Sequence, residues 1–121
     1  GYLRSSIRAD RGGQVRIECR MERLSTHVRQ LDTIDLLKID VEGAEHLILE
    51  DLHTAGLLGK PRQYVIEYHL NIGSDRSDLA ATLKRFEEQG YDYCLSAERK
   101  PDRRFQDVLI HCFRPAAAQR G

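Results

Sequence analysis

The chain has 121 residues, 40% of them apolar and 31% charged, and its 19 Lys and Arg are balanced by 19 Asp and Glu. That length supports one modest core, and the composition is that of a folded globular domain. The balance excludes the basic excess of a general nucleic-acid binder.

No apolar run approaches the roughly 20 residues needed to cross a bilayer. The start, Gly1-Tyr2-Leu3-Arg4-Ser5-Ser6, has no apolar leader core, so a cytoplasmic protein with no membrane partner is the expectation. The turn signal Asp10-Arg11-Gly12-Gly13 precedes Val15-Arg16-Ile17-Glu18-Cys19, whose alternation predicts a half-exposed strand. Leu24, Val28 and Leu31 then recur at helical spacing, with Ser25 as the expected cap. Ile34 to Val41 is rich in branched apolar residues without clean alternation, which suits a central strand covered on both faces.

Beyond Gly43, the stripe Ala44, Leu47, Ile48 and Leu52 predicts an amphipathic helix ending near Gly56. Tyr64 to Tyr68 reads as a strand and Asn71 to Ser74 as a loop. Ser77 is the expected cap of a helix carrying Leu79, Leu83 and Phe86 on one face and stopped by Gly90. Tyr91 to Leu95 and Val108 to Phe113 are further strands, joined by a polar stretch short enough for antiparallel neighbours. The order β-α-β-α-β-α-β-β implies right-handed crossovers within one α/β domain over 1–121, its sheet mostly parallel with one closing antiparallel strand. Residues 115–121 are expected to fray. Cys19, Cys94 and Cys112 lack CxxC spacing and fall in strand-like runs, so buried hydrophobes are expected rather than a disulfide framework or zinc knuckle.

Charge is segregated along the chain. Residues 32–78 hold ten acids against four bases, and residues 1–31 hold seven arginines against three acids. In an open α/β sheet, ligands bind beyond the carboxyl ends of strands, and two such ends carry reactive groups here. The first ends Lys38-Ile39-Asp40-Val41-Glu42-Gly43-Ala44-Glu45, where the period of two puts Lys38, Asp40 and Glu42 on one side. Glu42 and Glu45 either serve a site there or stabilise the following helix start. Asp40 ends a strand read as buried, where an unpaired carboxylate is costly. The second ends Glu67-Tyr68-His69, with Glu67 and His69 also sharing a side. Asp40, Glu42, Glu67 and His69 are therefore the candidate catalytic set. A carboxylate beside a histidine tunes it as a general base, and the same four side chains are ordinary ligands for a divalent metal. Tyr91 and Tyr93 read as packing aromatics. No helical zinc spacing, Gly-x-Ser-x-Gly elbow, Walker loop or Gly-x-Gly-x-x-Gly fingerprint is present.

The segment Ile34 to Glu45, with its Lys-Ile-Asp-Val-Glu-Gly-Ala-Glu string, resembles the signature of the FkbM family of S-adenosylmethionine-dependent methyltransferases. The similarity runs from about Val15 to Pro115. It implies the later part of the Rossmann-like class I methyltransferase sheet, with Ile34 to Val41 as strand four, Tyr64 to Tyr68 as strand five and the closing pair as strands six and seven. The glycine-rich first turn that holds the donor in that fold is not in this chain, so its N-terminal strands are expected to be missing, its S-adenosylmethionine site incomplete, and this fragment alone an inactive or weak methyltransferase. The resemblance further implies Asp40 and Val41 on the donor side. It makes Asp40 or His69 the base, has Glu42 orient the acceptor, and puts Glu67 and His69 on the acceptor side. The acceptor would be a small molecule bearing a hydroxyl, such as a sugar or natural product, and no residue is assigned as a metal ligand. Two other readings stand beside it: a non-catalytic module that forms oligomers through the exposed edge of strand four, and a metal-dependent site at Asp40, Glu42, Glu67 and His69.

Overall fold

A computed structural model describes residues 4–10, 14–20, 24–40, 45–71 and 79–115, with side chains from residue 24 onward. The elements are β1 (Arg4–Asp10), β2 (Gln14–Arg20), α1 (Leu24–Gln30), β3 (Leu36–Asp40), α2 (Glu45–Thr54), β4 (Gln63–Leu70), α3 (Leu79–Glu88), β5 (Asp92–Ser96) and β6 (Gln106–Phe113). Ser77, Val41, Glu42, Gly43 and Ala44 lie outside the described residues, as does the tail from Ala116.

Strand alternation sorts the sheet into two unlike faces. Ile39, Ile66 and Ile110 are register neighbours across β3, β4 and β6, and all three are fully buried. Leu37, Tyr64 and Cys112 form the next row and are buried as well. Fully burying one such aliphatic side chain is worth about 1.5–3 kcal/mol, so these rows fix which face turns inward. Helix α2 packs on β4 and touches both other helices, and Leu24, Val28, Leu49, Leu52 and Phe86 complete the same core. The intervening positions, Lys38, Asp40, Gln63 and Glu67, are exposed. The expectation that β3 is covered on both faces is thus corrected. Its burial alternates because all three helices share one core with a single face of the sheet.

The sheet order is β2-β1-β3-β4-β6-β5. Only β3 and β4 run parallel among the described strands, and the other four pairings are antiparallel, so the expectation of a mostly parallel sheet is also corrected. The physical reason lies at the start of the chain. Asp10-Arg11-Gly12-Gly13 joins two strands of a hairpin, and its first strand, β1, lies antiparallel along β3. Arg-Ser-Ser-Ile-Arg-Ala-Asp carries too little apolar alternation to announce a strand. Because β1 occupies that flank, β3 is not the open edge foreseen. The described edges are β2 and β5.

Helix termini follow local chemistry. Gly56 and Gly90 both have positive φ, the backbone conformation in which glycine escapes Cβ strain. Around them, Leu57 N–H donates to Leu52 O and Gly56 N–H to His53 O, while Tyr91 N–H donates to Phe86 O and Gly90 N–H to Glu87 O. Both are Schellman closures. The N-terminus of α1 differs from expectation. Ser25 lies inside the helix and is buried, and its N–H and hydroxyl both donate to the Asp51 carboxylate, at 2.7 and 3.0 Å. A carboxylate from α2 therefore caps α1 across the core, which no local pattern reveals. On α2 the buried set is Glu45, Leu49 and Leu52, whereas Leu47, assigned to the apolar stripe, is 57% exposed. Cys112 is buried as expected but Cys94 is exposed on the edge strand β5. The side chain of Cys19 lies outside the described set. No described helix is long and apolar enough to cross a membrane.

Candidate functional site

The parallel register Ile39–Ile66 puts the next residues, Asp40 and Glu67, side by side at the carboxyl ends of β3 and β4. Glu67 is held above the ordinary carboxylate range, first by its interaction with the adjacent Asp40 carboxyl, then by burial and by the Asp40 and Asp107 charges, with His69 opposing. The acid that ends β3 is thus partnered by an acid, an arrangement seen where like charges cannot both ionise.

Two residues further along β4 stands His69, whose side chain is only 9% exposed. Its Nδ1 is hydrogen-bonded to Oε1 of Glu45 in the first turn of α2, and that carboxylate is buried. Its Nε2 lies 3.5 Å from Oδ1 of Asp107, its direct register partner on β6. Burial alone would depress the imidazole. The hydrogen bond to Glu45 and the charges of Glu45, Asp107 and Glu67 outweigh it, so His69 titrates above 6.5.

Protonation and folding are therefore linked, with a sign that can be checked. The folded chain binds the His69 proton more tightly than the unfolded chain does. Its stabilisation is complete below the unfolded value of 6.5 and is lost as the pH rises through the folded-state value. Glu67 acts in the same direction at lower pH, since its folded carboxyl also titrates above the unfolded value of 4.5. Thermal melting should therefore show a fall in Tm between about pH 6 and about pH 9, and that fall should flatten in His69→Gln. A Tm that rises over the range, or an identical decline in the variant, contradicts the assignment.

Of the four residues singled out from the sequence, the structure brings Asp40, Glu67 and His69 into one corner, and Glu42 lies outside the described residues, as does Val41. Glu45, for which the sequence left a site role and a helix-start role open, is the buried brace of the imidazole. Asp107 carries no motif, and only the antiparallel register of β4 with β6 brings it opposite His69. Among the described residues, no group of three or more His, Cys, Asp or Glu is placed to hold a metal ion. A cleft of about 590 Å³ lined by Arg62, Gln63, His111, Phe113 and Arg114 lies at the other end of β4, some six residues or roughly 20 Å from His69.

The corner therefore offers a histidine held by a buried carboxylate, beside a pair of adjacent carboxyls. Such a group accepts a proton from a hydroxyl in a fixed direction. The family model described as Methyltransferase FkbM domain matches residues 3–93, a span that includes Asp40, Glu45, Glu67 and His69 and stops short of Asp107. No curated protein and no solved structure matches the chain.

Proposed function

This chain belongs to the FkbM methyltransferase domain family, and from that premise we propose that its β3–β4 corner is the acceptor side of an S-adenosylmethionine-dependent O-methyltransferase. The acceptor is a small molecule with a hydroxyl, such as a sugar or polyol natural product. The donor set suits the cofactor. Asp40, exposed beside Glu67 at the end of β3, offers negative charge to a cationic sulfur centre, and the family resemblance assigns Val41 to the donor side as well. When bound, S-adenosylmethionine supplies an electrophilic methyl group.

The work of the protein is then positioning and proton transfer. Glu45 takes the Nδ1–H of His69 and fixes the tautomer that leaves Nε2, beside Asp107, as the acceptor. His69 Nε2 would accept the proton of the acceptor hydroxyl. Glu45 stabilises the imidazolium that results. Asp40 and Glu67 hydrogen-bond the acceptor beside the base, and Glu42 orients it. The observation that carries this reading is the buried Glu45–His69 pair next to the Asp40–Glu67 pair, both at the carboxyl ends of the parallel strands.

The test is transfer of labelled methyl from S-adenosylmethionine to a panel of sugars and polyols by a protein that joins this domain to a glycine-rich donor turn, with the label located on oxygen in the product. Asp40→Asn should lower turnover by about 10–100-fold, the cost of misplacing a reactant. Unchanged turnover removes Asp40 from the mechanism, and a panel with no labelled product removes the activity.

A further inference from the structure

The loop joining β5 to β6 is built around one side chain. Gln106 accepts from Lys100 N–H at 2.7 Å and donates to Lys100 O at 2.8 Å and Arg103 O at 2.9 Å. This fixes the backbone on which Arg103 sits. The guanidinium stacks 4.0 Å over the Phe105 ring, and its Nη2 donates to Oδ2 of Asp107 at 2.9 Å. The other oxygen of that carboxylate, Oδ1, is buried, has no hydrogen-bond partner among the described residues, and stands 3.5 Å from Nε2 of His69. A chain of contacts thus leads from Gln106, through Arg103 and Asp107, to the imidazole edge that Glu45 leaves outward.

We infer that Arg103, in the β5–β6 loop, and Asp107, near the start of β6, are positioning residues that set the ring orientation and basicity of His69. The inference rests on the reading of His69 as the proton acceptor and extends it beyond the segment matched by the family. The charges around the imidazole are Glu45 from α2, Asp107 from β6, Glu67 on its own strand, Asp40 of β3 behind Glu67, and Arg103 behind Asp107. Glu45 fixes the Nδ1 side. Asp107 favours the proton on Nε2, and Arg103 tempers that pull by partly neutralising Asp107 and by repelling the imidazolium. The two residues therefore act with opposite sign, which a merely structural pair would not do. Without Arg103 the base would be held as imidazolium over a wider pH range. Without Asp107 it would lose its proton too readily.

The experiment is an NMR titration of the His69 imidazole in the full chain, its resonances assigned by their loss in His69→Gln. Asp107→Asn should lower the midpoint by about half a pH unit to one unit, and Arg103→Gln should raise it by a similar amount. Arg103→Lys, which keeps the charge, should leave the midpoint near that of the parent and guards against a loop that merely collapses. Shifts of the same sign in Asp107→Asn and Arg103→Gln, or no shift in either, overturn the inference. The midpoints are read without turnover, so the two readings fail separately. A chain that titrates as stated but transfers no methyl group refutes the proposed function alone. A pH–rate limb that moves with the midpoints in both variants supports both.

Discussion

Replacing Phe86 by alanine is expected to cost about 3–5 kcal/mol and to lower Tm by roughly 10 °C or more. Phe86 is fully buried and meets Tyr64 edge-on at 4.9 Å and Tyr91 at 5.7 Å, while those two rings stand 5.6 Å apart. Truncation removes the transfer free energy of a benzyl group and leaves a cavity that its neighbours cannot fill. Tyr64 is held by its hydroxyl, which donates to Leu58 O at 2.6 Å, and Tyr91 by hydroxyl contacts to Pro61 O and Leu58 O. Both tethers resist collapse into the void, and poor collapse is what moves such substitutions toward the upper end of the range. Leu47→Ala on the exposed side of α2 is the control and should change stability by less than about 0.5 kcal/mol. Urea unfolding of both variants checks the contrast. A Phe86 variant as stable as the Leu47 variant would show that the aromatic cluster is not the keystone of the helix–sheet contact.

The second large effect falls on catalysis. His69→Gln should lower methyl transfer by about 10²–10⁴-fold, the usual contribution of a positioned general base. Glutamine keeps an amide donor for the buried Glu45 carboxylate, which limits the cost of leaving that charge unpaired, so the variant should still fold. The loss should appear in kcat, with KM little changed, because the proton moves only as the oxygen attacks. A KM increase at constant kcat would assign His69 to acceptor binding instead.

How far these features could be read in advance depends on the range of the interactions. Gly56 and Gly90 end their helices as expected, since a Schellman closure uses only residues within one turn. Asp40, Glu67 and His69 were singled out because strand period and the rule for carboxyl ends are both local. The capping of α1 by Asp51 and the bracing of His69 by Asp107 depend on which elements become neighbours, and nothing in their own segments records that. The sheet's direction was misjudged for a similar reason. Arg4 to Asp10 is too polar to read as a strand, yet pairing on both sides makes it one, and its insertion beside β3 adds two antiparallel pairings. Glu45 shows the same limit in a different form. An acid in the first turn of a helix is ordinarily a dipole partner, and only the depth of this one in the core gives it a histidine to hold.

The central claim is that His69 takes the proton from the acceptor hydroxyl at the corner of β3 and β4. The most direct measurement is the pH–rate profile of methyl transfer from labelled S-adenosylmethionine to a hydroxyl acceptor, for the parent chain and for His69→Gln. The account predicts that the parent loses activity on acidification with a midpoint above 6.5, where the imidazole becomes protonated, and that this limb is absent from the residual activity of the variant. The same acid limb in both proteins, at the same pH, would contradict it.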